Sequence, residues 1–591
     1  MNYYNDSSEW KYLFRNAINW EQIIPLYFKE FPTKDGLNNK EELIQFYEEM
    51  ISTIADWAGN SLEKRASDLD IQGAGRVENG KTINGELLNK LYSEARELGI
   101  FGMHCSEKYG GLGLPATIVT VAHSLISRAC LASSAQIGFF LSITDMIERF
   151  CSEEIKEKYL PMIVAGEISG SMCLTEPDAG SDIGSIKTTA TRRKKDANDN
   201  LYLLNGSKCF ITNAGGGLGF VLARLTDAPE GLEGISLFFV EQFLTDNDGN
   251  TILNYQVTKN EDKIGLHGSF TCEVVYENSI AHLVGAENKG LSIMFYLMNE
   301  ARLGVGIQAL GGMEASVHCM KEYATNRVQF SKPIIELPLY KKNYEELETE
   351  CMAYRAFLVD TIWRYDVFQK LDMKKRSGEK LSEEEEKSLK NASAIIRKRT
   401  PLVKYYGTEA FTTISTKALQ GLGGYGLMKD YPIERIHRDS FAPLLYEGTS
   451  QIQALMALKD LIKNIIKNPS FYFFKMIGSD QIKKLKEKNS IKKRYFHLDL
   501  KFKSNLAKLL LRTLRPTSLN KLFKIKSWSD EKKIEQLMTH AETICQALSY
   551  LEILRVLAMH AEKSSSRDEL FNRYCKLIIP RLSQIYTSWK I

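Results

Sequence analysis

The sequence predicts an α+β protein: a helical N-terminal domain, a central β-barrel-like domain, a helical-bundle domain and a further helical C-terminal extension. Three observations carry that order. Apolar residues recur at three- and four-residue spacing on both sides of a central stretch. The central stretch breaks into short apolar runs bounded by turn residues. Beyond residue 465 the helical period continues, but the chain turns strongly basic. At 591 residues the chain exceeds what one hydrophobic core supports, so several domains are expected.

Residues 1–168 form the first domain, with helical periodicity over Glu86–Leu98 and Glu153–Val164. The glycine-rich Tyr109–Pro115 between them reads as a turn. Leu131–Ile147 is the most apolar stretch, but Ser133, Ser134, Gln136, Ser142, Thr144 and Asp145 interrupt it. It falls short of the ~18 apolar residues a bilayer span requires and reads as a buried helix. Residues 169–286 form the β domain, with apolar runs at Phe220–Arg224, Ile235–Glu241 and Thr271–Tyr276. Lys194–Asn200 and Asp246–Asn250 supply turns between runs. Residues 287–465 return to helix; Glu300–Arg327 contains no proline and would span about 40 Å at 1.5 Å per residue. Lys374–Lys387 is a charge run expected as a solvated connection between helices. Residues 466–591 complete the chain as a basic helical extension.

Composition bounds the function. A hydrophobic fraction of 44%, a charged fraction of 25% and 14 prolines describe an ordered, soluble chain rather than a linker-rich one. The net charge of +4 names no partner by itself. The ten cysteines lack any CxxC or short-range pairing, so reduced thiols are expected and no metal site is. The segment Met1–Asp6 carries neither a basic n-region nor an apolar h-region, and a cytoplasmic location is expected.

One motif is a decoy. Gly421–Gly426 (GLGGYG) satisfies the text of a dinucleotide fingerprint, but that motif needs a strand before it, and Lys404–Gln420 reads as helix. Three other clusters carry more. Met172–Asp182 (MCLTEPDAGSD) sets hydroxyls, acids and small residues close together, suited to hydrogen-bonding a polar cofactor edge or phosphates. Cys209–Gly215 (CFITNAG) and Tyr446–Gln453 (YEGTSQIQ) follow, in this order, across the α–β–α layout.

With these motifs the chain resembles the acyl-CoA dehydrogenases over about residues 85–465. One family signature is met by Cys173–Asp182 through Ser185, a second by Gln420–Gly426 with Asp430, Arg435 and Asp439. Met298–Gly306 (MNEARLGVG), Gly234–Phe238 (GISLF) and the total length resemble the long branch containing 3-methylmercaptopropionyl-CoA dehydrogenases and broad-range fatty acyl-CoA enzymes.

The resemblance implies an FAD enzyme that introduces a trans double bond beside a fatty acyl-CoA thioester and passes electrons to an electron-transferring flavoprotein. Such a reaction needs a carboxylate for the α proton, a flavin for the β hydride and hydrogen bonds to the thioester carbonyl. By resemblance Glu447 is the base, its pKa raised by an apolar tunnel. Glu300 is the rival carboxylate, but the position before Arg302 that some relatives use for their base is Ala301 here. Thr175 and Thr212 are expected on the isoalloxazine, lined by Met172 and Leu174. Phe210 stands where many relatives carry a stacking Trp. Thr449 and Gln451 are expected to hold FAD, and Arg327, Gln420 and Gly424 to reach the FAD of a neighbouring subunit, which implies at least a homodimer. Ser181, Asn299, Arg302 and Gly448 are expected along the acyl-CoA path. Arg327–Phe330 (RVQF) departs from the medium-chain pattern of the family, so Val328 and Gln329 are not carried over. An acyl-CoA oxidase using O₂ is the alternative with the same base.

The extension leaves three readings open. Residues 461–530 hold 18 Lys and Arg against four Asp and Glu, interleaved with aromatics at Phe471–Lys475, Lys492–Phe496 and Leu519–Trp528. A packed appendage with a solvated basic face is the first reading. Peripheral contact with an anionic membrane, at the inner face, is the second. Nucleic-acid binding, as in the DNA-associated branch of the same superfamily, is the third and the least favoured.

Overall fold

The computed structural model describes residues 1–193, 201–467, 477–514 and 531–590. The Lys194–Asn200 turn and the aromatic-basic segments Phe471–Lys475 and Leu519–Trp528 lie outside the described residues. In chain order the helices are α1 (Ser8–Tyr12), α2 (Trp20–Tyr27), α3 (Lys40–Trp57), α4 (Glu63–Gln72), α5 (Glu86–Glu97), α6 (Ala116–Ala129), α7 (Leu131–Phe150), α8 (Glu153–Val164), α9 (Gly290–Asn326) and α10 (Pro338–Arg376). There follow α11 (Glu383–Gly421), α12 (Pro432–Asp439), α13 (Ala442–Leu445), α14 (Ser450–Lys467), α15 (Ile477–Lys486), α16 (Ser490–Leu514), α17 (Glu531–Met538), α18 (Ala541–Lys563) and α19 (Asp568–Ser588). The strands are β1 (Gly75–Glu78), β2 (Lys81–Asn84), β3 (Ser169–Cys173), β4 (Thr189–Arg192), β5 (Leu201–Thr212), β6 (Gly217–Leu225), β7 (Ile235–Glu241), β8 (Phe243–Thr245), β9 (Thr251–Leu253), β10 (Gln256–Asn260) and β11 (Thr271–Val284), with a short hairpin at 328–333.

Two compact units emerge. The first comprises 1–7, 24–312 and 429–442. Its sheet runs β10-β11-β5-β4-β6-β3, and β7 pairs with both β11 and β6. Strands β11, β5, β4, β6 and β7 therefore close a ring, the barrel-like feature expected from the sequence. Alternating burial along β5 and β11 sends one face inward, where Leu204, Phe220, Leu222, Leu237, Phe239 and Val274 are fully buried. The β1–β2 hairpin sits inside the N-terminal region expected to be helical. Its strands are only four residues long and only partly buried, too short and too polar to give a strand period. The distant segment 429–442 is tied in by Arg438 to Asp70 at 2.6 Å and by the Leu266 N–H to Asp439 at 2.7 Å.

The second unit comprises 8–23, 313–428 and 443–591. Helices α10, α11, α14, α18 and α19 pack on one another, so the extension shares a core with the bundle. Ser382 starts α11 by capping the Glu385 N–H while the Glu385 carboxylate accepts from the Ser382 N–H, and four acidic residues sit in its first turn. The charge run is thus mostly helical: α10 runs to Arg376 and α11 begins at Glu383, because helix-forming Lys and Glu extend both ends. Buried charges bind the layers. Arg399 donates to Asp360 at 2.7 Å and to Glu552 of α18 at 3.1 Å, and Arg581 of α19 donates to Glu350 of α10 at 2.8 Å.

Candidate active site

In the first unit, the motif Met172–Asp182 leaves β3 and is pinned to β5. The Cys209 N–H donates to the Thr175 carbonyl at 2.9 Å, which sets Thr175 beside Phe210 and near Thr212 at the end of the strand. Lys208 is fully buried; its ammonium donates to the Leu174 carbonyl at 3.0 Å and to Glu176 at 2.7 Å. Glu176 also accepts from the backbone N–H of Lys187 at 2.6 Å and of Thr188 at 3.1 Å. Burial opposes its ionisation, but Lys208 outweighs that and lowers the carboxyl pKa. The acid of the TEPDAGSD motif is therefore an internal anchor for the loop. Met172, Leu174, Thr175 and Thr212 are half-buried, Ser181 is exposed, and the Phe210 ring is 64% exposed on a left-handed backbone (φ 60°). Phenylalanine rarely adopts that conformation, and such strain concentrates at functional positions.

Helix α9 brings Asn299 and Arg302 together. Arg302 is 2% exposed and donates to the Asn299 side-chain oxygen at 3.0 Å. One residue away, Glu300 enters a cluster the sequence did not reveal. Asp145 of α7 accepts from Arg149 at 2.6 Å and lies 3.3 Å from the His104 ring. Burial opposes the Asp145 charge, yet Arg149 and His104 hold its carboxyl well below the usual range. Burial and the neighbouring Asp145 charge push the Glu300 carboxyl up to about 8. Two carboxyls share one cationic neighbourhood, and Glu300 is the neutral member at pH 7.

In the second unit the predicted residues fall into two groups. Arg327, Gln420 and Gly424 line one cavity of about 730 Å³, with Tyr323, Tyr340 and Tyr425. The Tyr340 hydroxyl donates to the Gly421 carbonyl at 3.2 Å, and the Arg327 guanidinium lies 5.9 Å from the Tyr425 ring centre. Gly424 faces open space, so backbone is presented to the cavity. The glycines follow helix α11 and turn in a short 3₁₀ segment, which removes the strand a dinucleotide fingerprint needs. Phe330, at the rim, is 85% exposed and Leu427 nearby 67%.

The second group is the loop Tyr446–Thr449 ahead of α14. Glu447 is half-buried with φ 57°, and Gly448 follows with φ 89°. Gln453 donates to the carbonyls of Glu447 at 2.9 Å and Gly448 at 3.0 Å. Lys404 of α11 donates to the carbonyls of Leu444 at 3.1 Å and Gly448 at 2.7 Å. Both side chains belong to residues that are fully buried. Ser450 donates to Glu409 at 2.5 Å, and Gln451 to Glu542 of the extension at 3.3 Å. Lys404 and Gln453 escaped the sequence reading. A lysine inside a helical pattern carries no mark of burial, although Gln453 stood at the end of a motif already singled out. Among the described residues no cluster of His, Cys, Asp and Glu could hold a metal ion, and none of the ten cysteines forms a disulfide.

Comparison with known proteins decides the family. Models of the acyl-CoA dehydrogenase N-terminal, middle and C-terminal domains match residues 47–167, 171–279 and 288–462. The chain belongs to the acyl-CoA dehydrogenase family. It is 31% identical over 420 residues to the acryloyl-CoA reductase (NADH) of Anaerotignum propionicum, covering 70% of this chain and 94% of the relative. It is 35% identical over 381 residues to an acyl-CoA dehydrogenase of Bacillus subtilis (63% and 89%). It is also 29% identical over 453 residues to the 3-methylmercaptopropionyl-CoA dehydrogenase of Ruegeria pomeroyi (74% and 72%). Among solved structures, the acyl-CoA dehydrogenase of Bacillus anthracis complexed with FAD shares the fold at TM-score 0.74 and 23% identity, over 92% of this chain and 88% of that one. A chain from work on the electron transferring flavoprotein of Acidaminococcus fermentans matches at TM-score 0.58 and 27% identity (70% and 97%). Family membership makes this an oxidoreductase of acyl-CoA thioesters.

Proposed function

We propose that the protein binds FAD and dehydrogenates a fatty acyl-CoA to the trans-2-enoyl-CoA, with Glu447 as the base. The observation that carries the reading is the Glu447 loop: a carboxylate on a strained left-handed backbone, held by two buried donors, inside the YEGT motif of the family. The 730 Å³ cavity lined by Arg327, Gln420 and Gly424 fits a dinucleotide arm, with a guanidinium for its phosphates and open glycine backbone. Bound FAD would supply the hydride acceptor. Thr175 and Thr212 would hydrogen-bond its ring system, Met172, Leu174 and Phe210 would cover it, and Thr449 and Gln451 would hold it from the same subunit.

The protein's own part is proton removal and orientation. Glu447 takes the α proton on a carboxylate oxygen, and its backbone N–H donates to the thioester carbonyl as enolate charge develops. By resemblance to the family, Ser181, Asn299 and Arg302 are the proposed acyl-CoA contacts, with Gly448 a further one beside the base. Glu300 lies outside the YEGT motif, with its carboxyl buried beside Asp145, Arg149 and His104. The exposed Phe330 and Leu427 beside the cavity support a second copy of the chain completing it. An electron-transferring flavoprotein is the proposed acceptor. The likeness to a reductase favours a second reading, the same site run in reverse, with Glu447 returning the proton.

For the extension we propose a packing role. Of the cations on α16, Lys492 and Lys503 pair with Glu562 and Asp499, and Arg512 donates to the Lys590 carbonyl, so part of its basic charge is engaged by the chain itself. No helix among the described residues is long and apolar enough to cross a membrane. Salt-reversible sedimentation with anionic liposomes would overturn this role in favour of membrane contact.

The test of the reaction is anaerobic. The FAD-loaded protein is mixed with acyl-CoAs of graded chain length while the visible flavin absorbance and the thioester products are followed. Bleaching with formation of enoyl-CoA is expected. Enzyme that acyl-CoA does not bleach, but that after prior reduction with dithionite is reoxidised by enoyl-CoA with formation of acyl-CoA, would select the reverse reading, and inertness toward every thioester would defeat both.

A further inference from the structure

We propose that Lys404 is a positioning residue for Glu447: its buried ammonium clamps both ends of the loop and keeps Glu447 in the conformation that presents its carboxylate. The inference rests on Glu447 being the base. The loop is short, and its two ends are the Leu444 and Gly448 carbonyls. Both point at one nitrogen, at 3.1 and 2.7 Å, on a residue with no exposed surface. A charged donor makes stronger bonds than a neutral one, and in a dry interior a carbonyl deprived of its donor is costly.

The loop needs that support. Glu447 at φ 57° occupies a region that non-glycine residues rarely enter, so it persists only where its surroundings over-determine it. Gln453 supplies the other half, taking the Glu447 and Gly448 carbonyls at 2.9 and 3.0 Å. Gly448 cannot yield: its φ is 89°, and an added Cβ would lie 2.9 Å from the Gln453 amide nitrogen. The carbonyl of Gly448 is thus shared by Lys404 and Gln453, and that double hold sets the peptide that follows Glu447. Lys404 touches neither substrate nor flavin in this account. Its effect reaches the reaction only through the direction of the Glu447 side chain.

The experiment compares wild type, Lys404→Met, Lys404→Gln and Glu447→Gln, each as the full-length, FAD-loaded protein. The probe is a 3-thia-acyl-CoA, whose sulfur at the β position leaves only α-proton removal available. Exchange of its α hydrogens in D₂O is followed by mass spectrometry, the affinity for enoyl-CoA by titration, and the amide exchange of residues 443–450 by hydrogen–deuterium exchange. Lys404→Met is expected to slow α exchange by roughly 100-fold, the scale of a 1 Å misplacement. It should leave enoyl-CoA affinity within a few-fold and accelerate amide exchange in the loop; Lys404→Gln, which keeps a donor, should recover part of the rate. Wild-type α exchange in Lys404→Met, with Glu447→Gln inactive, would overturn the role of Lys404 alone. Wild-type exchange in Glu447→Gln would instead overturn the underlying assignment of the base. Should Lys404→Met fail to fold, Gln453→Met is measured in its place, and unchanged α exchange there would equally overturn the clamp.

Discussion

Glu552→Gln should destabilise the protein more than Arg399→Met, although each removes one partner of the same buried ion pair. Around that pair four cations, Arg364, Lys398, Arg399 and Arg555, face two carboxylates, Asp360 and Glu552. Breaking a buried pair costs about 3–5 kcal/mol when it strands the surviving charge. Arg399→Met strands nothing: Asp360 keeps Arg364 at 3.1 Å, and Glu552 keeps Lys398 at 2.5 Å and Arg555 at 3.3 Å. Its cost therefore falls below that range, about 1.5–3 kcal/mol, the worth of a lost charge-assisted hydrogen bond. Glu552→Gln leaves Arg364 and Arg399 to share Asp360 and takes the carboxylate from the largely buried Arg555, while the half-exposed Lys398 returns to solvent, so its cost belongs within the stranding range, about 3–5 kcal/mol. Denaturant unfolding of both single variants and the double variant, followed by tryptophan fluorescence, measures each cost and their coupling. A coupling energy of about 1–3 kcal/mol is expected for groups in one network. Because Glu552 lies on α18 and Arg399 on α11, the bundle and the extension should unfold together. Equal costs for the two variants, or a separate early transition in Glu552→Gln, would refute the reasoning.

Other outcomes follow from the same physics. The folded Glu300 carboxyl stands at about 8 against an ordinary 4.5, so the folded state binds the extra proton between those values. Stability from this group is present below about pH 4.5 and is lost as pH rises toward 8, by at most about 1.4 kcal/mol per pH unit. Glu300→Gln should therefore flatten the thermal-unfolding profile over that window, and an unchanged slope would count against the buried neutral carboxyl. Asp360 and Glu552 act in the opposite sense: burial opposes their charges, but the surrounding cations hold both carboxyls below the usual range. Their contribution is present above about pH 4 and is lost on acidification, so in Glu552→Gln the acid-induced loss of stability should shrink. Arg327→Ala should weaken FAD retention roughly tenfold or more, read by flavin fluorescence after gel filtration, since a charge-assisted phosphate contact is worth about 1.5–3 kcal/mol; full retention would remove the cavity from the cofactor reading.

Much of the fold could be read in advance, because period and turn chemistry are local properties. The uninterrupted pattern after Glu300 is the body of a single helix, Gly290–Asn326, and Asp246–Asn250 closes a hairpin through the Asp246 N–H and the Asn250 carbonyl at 2.9 Å. The β1–β2 hairpin escaped because four half-exposed residues per strand leave no apolar alternation. The charge run does hold a largely exposed connection, residues 377–382 between α10 and α11, but its two ends are helical, since Lys and Glu favour helix as strongly as they favour water. At the candidate site the motif residues were visible as text, but what fixes them was not. Lys404, Lys208 and Asp145 lie about 44, 34 and 155 positions from the residues they contact or polarise (Gly448, Leu174 and Glu300), and only folding joins them. Their burial reverses the ordinary expectation for a charged side chain, so composition and period could not announce it.

The assignment of the base is tested most directly by single-turnover reduction in anaerobic stopped flow, comparing wild type, Glu447→Gln and Glu300→Gln with the acyl-CoA that bleaches wild type fastest. Glu447→Gln, still loaded with FAD and still binding enoyl-CoA, should lose a factor of roughly 10²–10⁴ in the bleaching rate. Glu300→Gln should stay within a few-fold of wild type. Reduction of Glu447→Gln at the wild-type rate, or loss of reduction in Glu300→Gln alone, would contradict that assignment and move the base to helix α9.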